Sequence, residues 1–274
     1  MSNTAIVLAF DFGASSGRAI RAVYDGQNLN YEEIHRFENI PIEKDGHLCW
    51  DVETLLKEIH TAIQKAGTFD SLGFDTWGVD FGLLDTDGHL LANPVHYRDA
   101  RTNGKPEQAA ARMPAEELYA HTGNQIMAIN TLFQLLALQE QEPELLQKAA
   151  QILFMPDLFA ALLGAEPVCE RSIASTSQML DPRTGQWSRE VLAAYGLNAN
   201  RFAPLVASGT VTGTLANGAK IIAVAGHDTQ CASAAMPCAE EDAEHTAFLS
   251  CGTWSLLGVE NKDPVSYTHL TLPT

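Results

Sequence analysis

The chain opens on an apolar run of strand length, Ala5 to Phe12, broken by one acid, Asp11, and followed at once by a Gly/Ser turn. A continuous apolar run of this length reads as a strand buried on both faces. After the tight Gly13–Gly17 segment, Arg18 to Tyr24 is again strand-like, and Asp25-Gly26 is a hairpin signal into a third strand, Leu29 to Phe37. Asp51 then caps a helix whose apolar positions Val52, Leu55, Leu56, Ile59, Ile63 and Ala66 recur at helical period, with Gly67 at its end. Three strands, a helix and further alternation place the chain among α/β folds.

Ser71–Asp75 and Asp80–Asp85 are predicted as short strands, and the stretch from about Pro106 to Gly164 as mostly helical, with Pro143 breaking the run. Lys220–Ala225 reads as a buried strand, and Thr246–Val259 as strand, glycine turn and strand. The last eleven residues, 264–274, are rich in Thr and carry no cap or period, and they are expected to be a non-native tail.

Charge narrows the partners. Asp and Glu outnumber Lys and Arg by 34 to 17, a formal charge of −17 over 274 residues. Such a surface repels nucleic acid, anionic membrane and, at long range, ATP itself, so a phosphate site has to be built locally. Five cysteines without a CxxC pair suit a reduced cytoplasmic chain better than a disulfide or zinc framework. No segment has the form of a signal peptide or a membrane span.

Four segments carry chemistry. In Asp11-Phe-Gly-Ala-Ser-Ser-Gly-Arg18 an acid ends a buried strand, where it can orient a metal-bound water, and the following turn can aim backbone N–H groups at an anion. A plain hairpin turn is the competing reading. Gly13-Ala-Ser-Ser-Gly17 also satisfies the GxSxG pattern of a serine hydrolase, but a nucleophile elbow needs a helix after it and a strand follows here. Asp75-Thr-Trp-Gly-Val-Asp-Phe81 has the parts of a sugar site: an indole to cover C–H faces and carboxylates to accept hydroxyl protons. Trp77 alone is as readily a core residue. The nearby Tyr97–Gly104 stretch is either a binding loop or a solvated one. Gly226-His-Asp-Thr229 follows a buried strand and puts Asp228 where a carboxylate takes a proton from a bound hydroxyl. Ser250-Cys-Gly-Thr-Trp-Ser255 is a second glycine-centred turn that echoes the first.

In this order, and with Tyr97-Arg-Asp-Ala-Arg-Thr-Asn-Gly104 between them, the segments resemble the carbohydrate kinases that include glycerol kinase and xylulokinase. The Ala-Ser-Ser-Gly-Arg and Asp-Thr-Trp-Gly-Val-Asp forms are most similar to the rhamnulokinase branch. The resemblance covers about Ala5 to Glu260. It implies a ribonuclease-H-like domain of actin/hexokinase type, residues 1–245, with a second such domain only begun over 246–263. It also implies transfer of the ATP γ-phosphate, with Mg²⁺, to the C1 hydroxyl of rhamnulose. Fuculose and xylulose kinases are the alternatives. By the same resemblance Asp228 matches the general base, and Trp77, Gly78, His227, Asp228 and Thr229 the sugar contacts. Ala14, Ser15, Ser16, Gly17 and Arg18 match the first phosphate loop, Thr253 the second, and Asp11 the acid that holds a hydrated metal. The piece lacking most of its second domain is expected not to turn over by itself.

Overall fold

The computed structural model describes residues 4–239, 242, 245–251 and 255–260. Thr253, the turn between the last two strands and the 264–274 segment lie outside the described residues.

One mixed sheet organises the chain. Its six strands, numbered in chain order, are β1 (Ala5–Phe12), β2 (Ser16–Tyr24), β3 (Leu29–Glu38), β4 (Ser71–Thr76), β5 (Thr210–Thr214) and β6 (Lys220–Ala223). They lie in the order β5-β6-β4-β1-β2-β3. β4 runs parallel to both β1 and β6, and the remaining pairs are antiparallel. An antiparallel three-stranded start joined to parallel strands through helical crossovers is the ribonuclease-H-like arrangement expected from the sequence. One face of β1 is fully buried, with Leu8, Phe10 and Phe12, while the other carries half-buried Val7 and Asp11 and exposed Ala9, so the apolar run is covered on one face rather than on both as its sequence suggests. Rings pack through the core from Phe10 to Phe74 at 4.9 Å and from Phe12 to Phe159 at 4.8 Å.

Helix α1 (Val52–Ala66) starts where its cap predicts, Asp51 Oδ1 accepting the Thr54 N–H at 3.2 Å. The 106–164 region is a correction in part. Helices occupy most of it, but Gln151–Phe154 is a strand, paired antiparallel with Phe81–Leu84, and α2 (Met155–Leu162) begins directly after it. The run does break at Pro143, where one helix ends at Gln141 and the next begins, and Pro156 sits in the first turn of α2, where a missing N–H costs nothing. A second core, around Phe81, Leu132, Phe133 and Tyr195, backs this region. Two short helices complete the frame of the site: α3 (Arg171–Ser175) and α4 (Asp228–Ala234). Among the described residues no helix is long and apolar enough to cross a membrane.

Candidate active site

Parallel strands that end on one side bring their last residues together, and the crevice beyond their carboxyl ends is where open α/β sheets bind ligands. Here Asp11 and Asp75 are the last residues but one of β1 and β4, and Asp228 follows the end of β6 by five residues. Register fixes the meeting: Asp11 is the cross-strand partner of Asp75, and Thr76 bridges to His227. All three acids line a cavity of ≈ 640 Å³. Ala14, Arg18, Trp77, Gly78, His227 and Thr229 line it too, so the three sequence segments around residues 11, 75 and 228 converge on one place. The hairpin of Ala247–Cys251 and Ser255–Val259 adds Ser250 and Leu256 to its wall.

The first turn divides between wall and support. Arg18 faces Asp11 across the β1–β2 pair, and its Nη2 lies 2.5 Å from Asp11 Oδ2. Ser15, Ser16 and Gly17 do not line the cavity. Ser16 O accepts the Gly13 N–H at 2.8 Å, Ser15 O accepts the Asn39 N–H at 3.0 Å, and Asn39 Nδ2 donates to Gly13 O at 2.9 Å. Gly17 packs beneath Phe37 so closely that a Cβ would sit 2.2 Å from the ring.

Trp77 answers to both of its readings. It is 6% exposed and stacked on Trp50 at 3.9 Å between centroids, yet it lines the cavity. Its indole is aimed by Asp80, which is 1% exposed. Asp80 Oδ2 accepts from Trp50 Nε1 at 2.6 Å, Trp77 Nε1 at 3.0 Å and the Tyr97 N–H at 3.1 Å, and Oδ1 accepts from Gln134 Nε2 at 2.8 Å. Burial pushes the Asp80 carboxyl up to about 6, with these donors pulling against it.

Between Trp77 and Asp80 the backbone makes a tight turn: the Asp80 N–H donates to Gly78 O at 2.9 Å and Val79 takes φ 68°. A β-branched residue there is strained, and three side chains hold it. Thr176 Oγ1 accepts the Val79 N–H at 3.0 Å, and Val79 O accepts from Thr131 Oγ1 at 2.6 Å and Gln134 Nε2 at 3.4 Å. Gly78 is needed because a Cβ would meet the His227 ring at 3.0 Å.

Electrostatically the cavity is a well of negative charge. Burial, then the charges of Asp11 and Asp228, push the Asp75 carboxyl up to about 8. Burial lowers His227 from the usual imidazole range against the pull of Asp228, so the ring is neutral, with Nε2 3.6 Å from Asp228 Oδ1. Its Nδ1 is buried and unpartnered among the described residues. The three acids offer hard oxygen donors, the kind Mg²⁺ takes. The three do not form a direct three-ligand cluster: among the described residues only Asp85, Asp87 and His89 bring three ligand atoms within 4.8 Å. A cation that keeps its water shell, as Mg²⁺ does, fits this spacing.

Comparison with known proteins agrees with this geometry. Residues 6–234 match the FGGY family of carbohydrate kinases, N-terminal domain. The chain belongs to that family. A rhamnulokinase of Bacteroides thetaiotaomicron is 42% identical over 270 residues, which is 94% of this chain and 55% of that protein. The chain therefore spans about half the length of the curated relative it matches. Among solved structures, a carbohydrate kinase from Novosphingobium aromaticivorans superposes with a TM-score of 0.79 at 23% identity, over 99% of this chain and 59% of the other. A xylulose kinase from Bifidobacterium adolescentis gives 0.73 at 17% identity, over 97% and 61%.

Within this FGGY domain, sequence reasoning missed several wall residues. The sequence reads the acids of the Asp75–Phe81 segment together as acceptors of hydroxyl protons: Asp75 lines the cavity, whereas Asp80 does not and is buried beneath the two indoles it holds. Thr176, Gln125, Met127 and Ile129 line the cavity from segments that carry no local signal.

Proposed function

We propose that this chain carries the sugar-binding and proton-accepting half of a kinase that moves the γ-phosphate of ATP to the C1 hydroxyl of L-rhamnulose. The observation that carries this reading is Asp228. It opens α4 beyond the end of β6, on the wall of the cavity that Trp77 and the other two strand-end acids share. A partly exposed carboxylate in that position accepts the proton of a sugar hydroxyl as its oxygen attacks phosphorus. Trp77 and the Gly78–Val79 turn cover the apolar C–H face, and His227 and Thr229 offer hydrogen bonds to hydroxyls. Asp11, with Asp75 beside it, would hold hydrated Mg²⁺ through water; bound there, the ion supplies neutralisation of phosphate charge. Arg18 brings a positive group to the same end. The adenine pocket and the opposite jaw belong in this reading to a second domain beginning near residue 246. The choice of rhamnulose among ketoses is supported by the name of the 42% identical relative.

The test is ADP release by the full-length protein with ATP and Mg²⁺ across rhamnulose, fuculose and xylulose. Rhamnulose is expected to give the highest kcat/KM. Asp228→Asn should lower kcat by ~10²–10⁴ while sugar binding persists. Near-normal turnover in that variant would remove Asp228 from the role, and no ADP with any ketose would sink the kinase reading.

A further inference from the structure

Glu170 ends a two-residue strand immediately before α3 and is 1% exposed. Its carboxylate gathers five donors. Oε2 accepts the Ser172 N–H at 2.9 Å, Ser172 Oγ at 2.6 Å, the Ile173 N–H at 3.2 Å and the Gly226 N–H at 3.1 Å. Oε1 accepts Ser208 Oγ at 2.6 Å. Capping of α3 accounts for the bonds to Ser172 and Ile173. It does not account for Gly226 and Ser208, which come from 56 and 38 residues further along the chain.

Two sides of this network, Gly226 and α3, lead to the cavity wall. Gly226 precedes His227 and Asp228, and its carbonyl accepts the Thr76 N–H at 3.0 Å, next to Asp75 and Trp77. α3 leads into Thr176, whose hydroxyl holds the strained Val79 and whose methyl packs against Gly78. A side chain bonded to both is placed to set the distance between them. Asp157 braces Glu170 from below, its Oδ2 accepting the Glu170 N–H at 3.1 Å. Burial, with the Glu170 charge adding to it, holds the Asp157 carboxyl well above the ordinary range.

We propose that Glu170 is a positioning residue for phosphoryl transfer, holding the Gly226–Asp228 turn against the Gly78–Val79 wall so that the base meets the sugar hydroxyl. Its kinetic consequence rests on the kinase reading; the structural consequence does not. Asp228 acts on substrate, and Glu170 acts only through it.

Three variants of the full-length protein separate positioning from capping. Glu170→Asp keeps a good helix cap but draws the carboxylate back by ~1.5 Å, one carbon–carbon bond, from Gly226 and Ser208. Misplacement on that scale costs up to about 10²-fold, so kcat should fall about 10- to 100-fold while the sugar KM stays within about threefold. Glu170→Gln can keep its oxygen on the Gly226 side and turn its amide toward Ser208, whose hydroxyl also accepts. It should recover kcat to within about threefold of wild type. Glu170→Ala should lose both kcat and thermal stability. Unchanged kcat in Glu170→Asp, or equal kinetic damage in Glu170→Asp and Glu170→Gln, would overturn the proposal. Hydrogen exchange gives an independent readout: the Gly226 amide should exchange at least about tenfold faster in Glu170→Asp, with β1 and β4 unaffected. Should the wild-type protein phosphorylate no ketose, the kinase reading fails on its own, and unchanged exchange at Gly226 would still reject the positioning role.

Discussion

Replacing Asp80 by Asn makes a prediction with a size that depends on pH. Burial raises the folded pKa to about 6 from an ordinary 3.8. An acid whose folded pKa is raised holds its proton more tightly in the folded chain. Its contribution to stability is therefore complete below 3.8 and is lost as pH rises through about 6. A difference of about two units amounts to ~3 kcal/mol. Asn cannot ionise, so it escapes that loss. It does lose something else, because all four partners of Asp80 are donors and an amide presents a donor of its own. Setting its oxygen toward the two indoles leaves its NH₂ against Gln134 Nε2. Gln134 cannot flip freely, since its Oε1 accepts from Arg101 Nη2 at 3.0 Å and its Nε2 also donates to Ile129 O at 2.9 Å. One unmade buried bond costs ~1–3 kcal/mol, but the protonated acid bears the same cost, since its O–H is a donor among the same donors. The pKa of about 6 already sets the four donors against burial, so at pH 7 Asp80→Asn should be ~2–3 kcal/mol more stable. At pH 4 both side chains are neutral and carry a donor, and the two proteins should differ by less than ~1 kcal/mol. Urea unfolding followed by tryptophan fluorescence from pH 4 to 7 reads this directly, because Trp50 and Trp77 both bond to Asp80. Other carboxylates titrate in the same window but are common to both proteins and drop out of the difference. A gap between the two proteins that is the same at both ends of the window would refute the reasoning.

Gly17→Ala should cost ~1–3 kcal/mol, because its Cβ would lie 2.2 Å from the Phe37 ring, and Phe37→Leu in the same chain should restore part of the melting temperature. Thr131→Val removes the hydroxyl that bonds Val79 O at 2.6 Å without changing shape; the expected loss is ~1–3 kcal/mol in unfolding free energy together with a higher sugar KM. His96 is held neutral, down to about 4, chiefly by burial, and its Nδ1 accepts the Arg98 N–H at 2.9 Å. The stability this gives is present above pH 6.5 and is lost as pH falls towards 4, so His96→Gln should flatten the acid limb of a melting-temperature profile.

What the sequence disclosed follows a physical pattern. β1 was legible to the residue, because an apolar run of strand length, interrupted only at Asp11, is bounded by a glycine turn, although only one of its faces is fully buried. α1 was legible because its cap, its period and its terminal glycine agree. The Gln151–Phe154 strand was not, since a short apolar run that flows into an apolar helix has no period to separate the two. The site divides the same way. Asp11, Trp77 and Asp228 sit in compact local segments, and a parallel sheet turns separate strand ends into one place. Thr176 and Glu170 are set by contacts 97 and 56 residues apart, and no local spacing encodes those.

The strand-end acids also connect the composition of the chain to its chemistry. A net charge of −17 repels a nucleotide from afar. The cavity sharpens the difficulty, because burial, and then the charges of Asp11 and Asp228, already push Asp75 up to about 8. Arg18 pairs with Asp11 at 2.5 Å, on an exposed edge where an ion pair is weak, and only partly offsets the charge around Asp75. A polyphosphate can therefore approach only together with cations that answer this charge. Under the kinase reading, the excess of carboxylate that repels bare ATP would favour its metal complex.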